Sequence, residues 1–246
     1  SKIYLFKLSI PIFFSNIAIP FVGLVDTGLM GHLSSEIFLA AISIATSVIT
    51  MIFWSFGFLR MGTVGIVAQA LAKKDWNEIT LIFVRNIILA LFIGIFLILL
   101  KGPILFLIEH FFKISQETQI LIKNYVSIRI YSAPAELILY VLSGLYLGLQ
   151  KTTIVSLAVS IFCIGNIILS SIFVIYFNLE ITGVAAGTLI SAYITAIIFL
   201  FISYLRLKNK FYGRLSAVKI FNVQKMFQLF NINFDIFIRT IFLTFS

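Results

Sequence analysis

Long apolar stretches of about twenty residues each, the length an α-helix needs to cross the roughly 30 Å hydrocarbon core of a bilayer, run one after another along this sequence. From Ile79 to Leu100, for instance, Arg85 is the only charged side chain. A soluble fold cannot hide several such runs at once, because its surface is too large relative to its interior to be covered by the few polar residues left. Of the 246 residues, 61% are hydrophobic and 11% charged, against roughly 45–50% and 25% in soluble domains. Mean hydropathy is +1.13. The fold class expected is an all-α polytopic membrane protein built as a six-helix transmembrane bundle.

The six spans run from about Leu8 to Met30, from Ile37 into the sixties, from Ile79 to Leu100, from Asn124 to Leu149, from Thr152 to Phe177 and from Ile181 to Leu205. The first apolar stretch is too long for a signal-peptide core and lacks a small-residue cleavage site after it, so it is read as a span. A seventh apolar segment starts near Ile236, and the sequence stops inside it at Ser246. The expected organisation is therefore a six-helix lobe over residues 1–205, a loop over 206–233, and the truncated start of a seventh helix over 234–246.

Lys and Arg in short loops set orientation. Lys2 and Lys7 precede the first span, Lys73, Lys74 and Arg85 flank the connection after the second, and Lys151 follows the fourth. Arg206, Lys208, Lys210, Arg214, Lys219 and Lys225 crowd the long loop. The intervening segments His32–Glu36 and Asn178–Glu180 have neither Lys nor Arg, and only Lys101 and Lys113, beside Glu109 and Glu117, blur the alternation. The N-terminus and long loop are expected on the cytoplasmic side of the membrane. This alternation also accounts for the net charge of +9 without a nucleic-acid partner, since no single basic stripe is present. Cys163 stands alone, His32 and His110 are far apart, and neither a nucleophile triad, paired catalytic carboxylates nor a phosphate loop is found. No enzyme activity, metal centre or organic cofactor is expected.

Ionisable residues inside spans cost about 2.5–3.5 kcal/mol near the bilayer centre, which makes them functional candidates. Asp26, in FVGLVDTGLMGHL, follows Lys7 by nineteen residues, about 28 Å of helix, and so belongs to the outer leaflet. A carboxylate there either reaches the headgroups or serves a cavity. Pro11 and Pro20 each remove a helix hydrogen bond and should bend the first helix. Glu136 sits near the middle of the fourth span as an intramembrane acid, either protonated or paired with Arg129 two turns away. Arg60 is expected to snorkel to the interface. Asn166, Ser170, Ser171 and Thr188 are of the type that forms interhelical hydrogen bonds, and Gly183 and Gly187 form a GxxxG pair suited to close helix packing.

The stretch LSIPIFFSNIAIPFVGLVDTGLMGHL resembles the first helix of multidrug and toxic compound extrusion (MATE) transporters, most strongly of the branch called DNA-damage-inducible F. FLRMGTVGIVAQALAKKD, RIYSAPAELILYVLSGLYLGLQ, GNIIL, ITGVAAGTLISAY and NFDIFIRT extend the resemblance in order along nearly the whole sequence. That resemblance implies twelve helices in two six-helix lobes around a central cavity, with export coupled to inward flow of H⁺ or Na⁺. It assigns cation or proton coupling to Asp26, Asn166 and Thr188, and helix bending to Pro11. Ser170 stands where the family often has a second carboxylate, which weakens a Na⁺ site and favours H⁺. Glu136 is a further departure.

The resemblance thus implies an antiporter of amphipathic or cationic small molecules, or its N-terminal half, needing the missing C-terminal lobe or a second copy as partner. Two other functions compete: a flippase for lipid-linked precursors, which should show basic residues on several cavity-facing helices, and a truncated fragment without transport.

Overall fold

The computed structural model describes residues 24–31, 36–111, 114–208 and 210. Pro11, Pro20, His32, most of the long loop and the segment from residue 234 onward lie outside the described residues. The described end of the first helix, α1, covers residues 24–31. It is followed by α2 (Glu36–Trp54), α3 (Phe58–Ala72), α4 (Trp76–Leu99), α5 (Lys101–Phe111), α6 (Gln116–Arg129), α7 (Ala133–Gly148), α8 (Thr152–Ser171) and α9 (Glu180–Lys208). Among the described residues, five stretches are long and apolar enough to cross a membrane: Glu36–Ala72, Trp76–Leu99, Gln116–Gly148, Thr152–Tyr176 and Glu180–Lys208. The chain is a multi-pass, all-helical membrane protein among its described residues.

Two spans exceed their expected limits. The second runs on to Ala72 as α2 and α3, interrupted by a turn at Ser55–Gly57. The fourth starts at Gln116 rather than Asn124, and a 3₁₀ turn at Ile130–Ser132 divides it into α6 and α7. The preceding connection, expected as a loop, contains α5 and a Ser115 N-cap that accepts from the Thr118 N–H. Ser-x-x-Thr capping of this kind satisfies an otherwise orphaned donor. Loop composition hid it, because Lys101, Glu109, Lys113 and Glu117 are polar enough to look unstructured.

The divided helices lie side by side. Arg129, at the end of α6, stacks its guanidinium 5.5 Å from the ring centroid of Phe53, at the end of α2. The two interruptions therefore meet at one level of the bundle. Beyond them α3 and α7 pack in the same direction. A Cβ at Gly144 would stand 2.6 Å from Thr63 Cβ, and one at Gly148 would stand 2.8 Å from Val67 Cβ. Small residues permit such approach, which replaces the hydrophobic drive that lipid does not provide.

α8 and α9 run antiparallel and make the same use of glycine. A Cβ at Gly187 would lie 2.6 Å from Ser170 N, and one at Gly183 would lie 3.1 Å from Phe173 C. A π turn, Ile172–Tyr176, ends α8. α9 is tied to the 3₁₀ turn by Tyr193 Oη donating to Tyr131 O at 2.9 Å, and to α7 by the 2.8 Å hydrogen bond between Tyr146 Oη and Ser203 Oγ. At one end of the bundle, Lys74 and Gln150 take left-handed backbone conformations (φ 56° and 58°). Each closes a helix with a wide hydrogen bond: Asp75 N to Ala70 O, and Lys151 N to Tyr146 O. These are Schellman turns, here without the usual glycine.

Candidate functional site

Asp26 and Met30, four residues apart on α1, are both buried, while Leu24, Thr27, Gly28 and Gly31 are exposed. The i, i+4 spacing puts the carboxylate and the thioether on the one face that α1 turns into the bundle. Asp26 is 7% exposed, and its Oδ1 is buried without a hydrogen-bond partner. Buried polar atoms are almost always paired, so an orphaned carboxylate oxygen is a place where an ion, proton or water is expected.

The charge that reaches Asp26 belongs to Arg129. Arg129 is itself buried and pairs with Glu136, Nη1 to Oε1 at 2.8 Å. Nη1 also donates to Ser132 Oγ, which in turn donates to the Arg129 carbonyl at 2.7 Å. Tyr125 is buried in the same helix, four residues before Arg129, and Arg129 Nε is buried without a partner. Of the two states open for Glu136 from sequence, the structure has the ion pair. Arg129, Ser132 and Glu136 share one side because i, i+3 and i+7 recur on one face of a helix, and they meet across the 3₁₀ turn at Ile130–Ser132.

A second polar cluster joins α8 and α9. Asn166 Nδ2 donates to Thr188 Oγ1 at 2.6 Å, and Thr188 Oγ1 donates to Val184 O at 2.9 Å. Asn166 and Ser170 are fully buried, and Asn166 Oδ1 and Ser170 Oγ have no partner. Asn166, Ser170 and Thr188 are thus gathered around the Gly187 approach. No described hydrogen bond links Asp26 to this cluster; its charged neighbour is Arg129. Ser171 is half-buried beside the cluster, and Arg60 is exposed.

Three orphaned oxygens, on Asp26, Asn166 and Ser170, are donors of the hard type that suits H⁺ or an alkali cation. No group of three or more His, Cys, Asp or Glu suited to a metal ion occurs among the described residues.

Several polar positions escaped the sequence reading. Asn86 and Thr63 bond at 3.1 Å between α4 and α3, with Asn86 Oδ1 orphaned. Arg85 is buried and pairs with Glu78 at 3.6 Å. An Asn inside an apolar run is a visible signal for the first. Tyr125 and Ser132 carry no such signal as residue types, since only their spacing of four and three residues from Arg129 marks them. The Gly144-x-x-x-Gly148 pair was legible in the same way as Gly183 and Gly187.

Apolar spans closed around a few unpaired oxygens and a buried ion pair define a multi-pass helical membrane protein with polar groups held inside its bundle. Residues 11–174 match the MatE family model, and the chain belongs to the MatE family. It is 34% identical over 194 residues to DNA damage-inducible protein F of Escherichia coli (strain K12), an overlap covering 79% of this chain and 42% of that protein. It is 22% identical to the multidrug export protein MepA of Staphylococcus aureus (strain NCTC 8325 / PS 47), over 97% of this chain and 52% of MepA. In structure it resembles a MOP superfamily transporter from Pyrococcus furiosus Vc1 (DSM3638), with a TM-score of 0.81 at 21% identity over 93% of this chain and 50% of that one. An outward-facing multidrug resistance MATE transporter gives a TM-score of 0.79 at 21% identity, over 91% and 49%. MepA is named as an exporter and the two solved structures as transporters, and the chain spans about half the length of the relatives it matches.

Proposed function

We propose that the chain is the N-terminal lobe of a cation-coupled antiporter that exports amphipathic or cationic small molecules across a bacterial cytoplasmic membrane. The observation that carries this reading is the buried carboxylate of Asp26 with its unpartnered Oδ1. In the proposal Asp26 takes up the coupling ion, and H⁺ is favoured over Na⁺ because Ser170 supplies no second charge. Asn166, Ser170 and Thr188 contribute neutral oxygens to the same inward path. Pro11 and Pro20 bend the first helix as Asp26 changes occupancy. Residues 1–205 form the lobe, 206–233 a cytoplasmic loop and 234–246 the beginning of a seventh helix. Alternating access by rocking two lobes then requires a C-terminal lobe or a second copy. The N-terminus lies in the cytoplasm, on the side of the basic loops.

The flippase alternative draws little support from the described basic residues in the spans. Arg129 is neutralised by Glu136 and Arg85 by Glu78, leaving no obvious set for a pyrophosphate head group.

The test is export of a fluorescent organic cation by vesicles containing the protein expressed from its own gene, with Asp26→Asn as the variant. Loss of gradient-driven export, with normal membrane insertion, is the expected outcome; wild-type rates in the variant would remove Asp26 from coupling. The intact mass of the same gene product, near 27.7 kDa or nearer twice that, decides whether the second lobe comes from the same chain.

A further inference from the structure

At the end of the bundle marked by the two Schellman turns, the start of α4 and the ends of α7 and α9 leave a cleft. Its rim carries Lys151, Arg206 and Lys210, its wall Trp76, and its floor Tyr146 and Ser203 among leucines. The Schellman bond from Lys151 N to Tyr146 O, 2.7 Å, fixes the backbone of Lys151 over the cleft. Lys210 Nζ stands 3.7 Å from the ring centroid of Trp76. The floor is closed by the Tyr146–Ser203 hydrogen bond.

The three cations line one cleft, and no described ion pair neutralises any of them. The ion pairs among the described residues are Arg85–Glu78, Lys123–Glu109 and Arg129–Glu136, and none uses Lys151, Arg206 or Lys210. Burial first, and then the charges of Arg206 and Lys210, hold the Lys151 ammonium below the ordinary lysine range. Orientation of the spans needs only an excess of basic residues in this loop region. It does not need three of them converged on one aromatic-walled cleft at the cost of mutual repulsion. That arrangement is stabilised when an anion enters.

The span Thr152–Tyr176 begins at the residue after Lys151, and α9 ends two residues past Arg206. The cleft therefore sits at headgroup level, where Trp and Tyr are favoured and where basic pockets between helices bind anionic head groups. We propose that this cleft binds the phosphate headgroup of an anionic phospholipid through Lys151, Arg206 and Lys210. The inference is independent of the transport reading and survives its failure.

The test places the purified full chain in nanodiscs of phosphatidylcholine alone or mixed equally with phosphatidylglycerol. Its readouts are the unfolding midpoint and the phospholipid retained on the protein by native mass spectrometry. The expected result is a higher midpoint and retained phosphatidylglycerol in the mixed nanodiscs, with retention cut to less than half in K151Q/R206Q. The variant K101Q/K123Q, which removes equal charge at the opposite end, should retain lipid like the parent. K151E supplies a second variant whose new carboxylate can pair with Arg206 and preserve the fold; it should lose retention as well. Retention unchanged in both cleft variants, or equal loss in K101Q/K123Q, would overturn the proposal. Inorganic phosphate reproducing the whole shift in phosphatidylcholine alone would overturn the lipid as its source.

Discussion

Arg129 Nη1 and Glu136 Oε1 lie 2.8 Å apart across the 3₁₀ turn that divides the fourth span, with side chains 9% and 17% exposed. Removing one partner of a buried pair leaves an uncompensated charge and costs about 3–5 kcal/mol, whereas replacing both by apolar groups of similar volume is often neutral. E136Q should therefore lower the unfolding midpoint of the purified protein well below that of R129M/E136M. A double variant as unstable as E136Q would show that the pair does not carry this cost.

The GxxxG contact between α8 and α9 leaves no room for a methyl group at Gly187, where a Cβ would meet Ser170 Oγ at 2.5 Å and Ser170 N at 2.6 Å. Backbone is the obstacle, so no rotamer change relieves it. G187A should cost about 1–3 kcal/mol, the range for overpacking a filled interior. G165A, whose Cβ would meet Ser191 Cβ at an ordinary 3.4 Å, is the matched control. Equal midpoints for the two variants would refute the close approach.

Much of this was legible because lipid reduces the problem to apolar length. The spans of α4, α8 and α9 fall within a few residues of their expected limits, since a long apolar run has few alternatives to a helix. Gly183 and Gly187 were legible for the same reason: small residues at a spacing of four mark a helix face. The beginning of α6 was not, because Gln116 to Lys123 is held by capping and by contacts outside the apolar core, including the exposed pair Lys123–Glu109 at 2.7 Å. The division of α2 from α3 was equally hidden, for Ser55–Gly57 lacks proline; the end of α2 lies beside the turn in the fourth span, with Arg129 over Phe53. At the site, residue type marked Asp26 as a candidate and Asn166 and Thr188 as interhelical hydrogen-bond formers, and the family resemblance alone assigned them to coupling. That Asn166 bonds Thr188 while Asp26 answers to Arg129 depends on helix placement, which no local pattern encodes.

The Asn166–Thr188 hydrogen bond gives a test of whether this cluster is only interhelical glue. Such bonds in membrane bundles average about 0.6 kcal/mol, but a donor left buried and unpaired costs about 1–3 kcal/mol. T188V, which keeps the shape and strands Asn166 Nδ2, should be less stable than N166L/T188V, which removes both groups. If the unfolding midpoints follow this order while export by both variants is impaired, the cluster serves more than packing. Full export by N166L/T188V would reduce it to glue.

The crowding around Lys151 predicts a pH dependence whose sign is fixed. Burial and the charges of Arg206 and Lys210 lower its proton affinity in the folded protein, so its pKa there lies below the value of 10.5 taken for the unfolded chain. Where Lys151 is protonated in both states the full penalty on the fold is present. As pH rises through the folded pKa towards 10.5 the folded protein releases its proton first, the unfolded state binds more protons, and stability increases. In phosphatidylcholine nanodiscs the difference in unfolding midpoint between the parent and K151Q should therefore shift in the parent's favour on approaching pH 10.5. Lys151 is largely exposed, so salt should shrink the effect by screening. A difference that stays flat with pH at low salt would show that Arg206 and Lys210 do not act on Lys151.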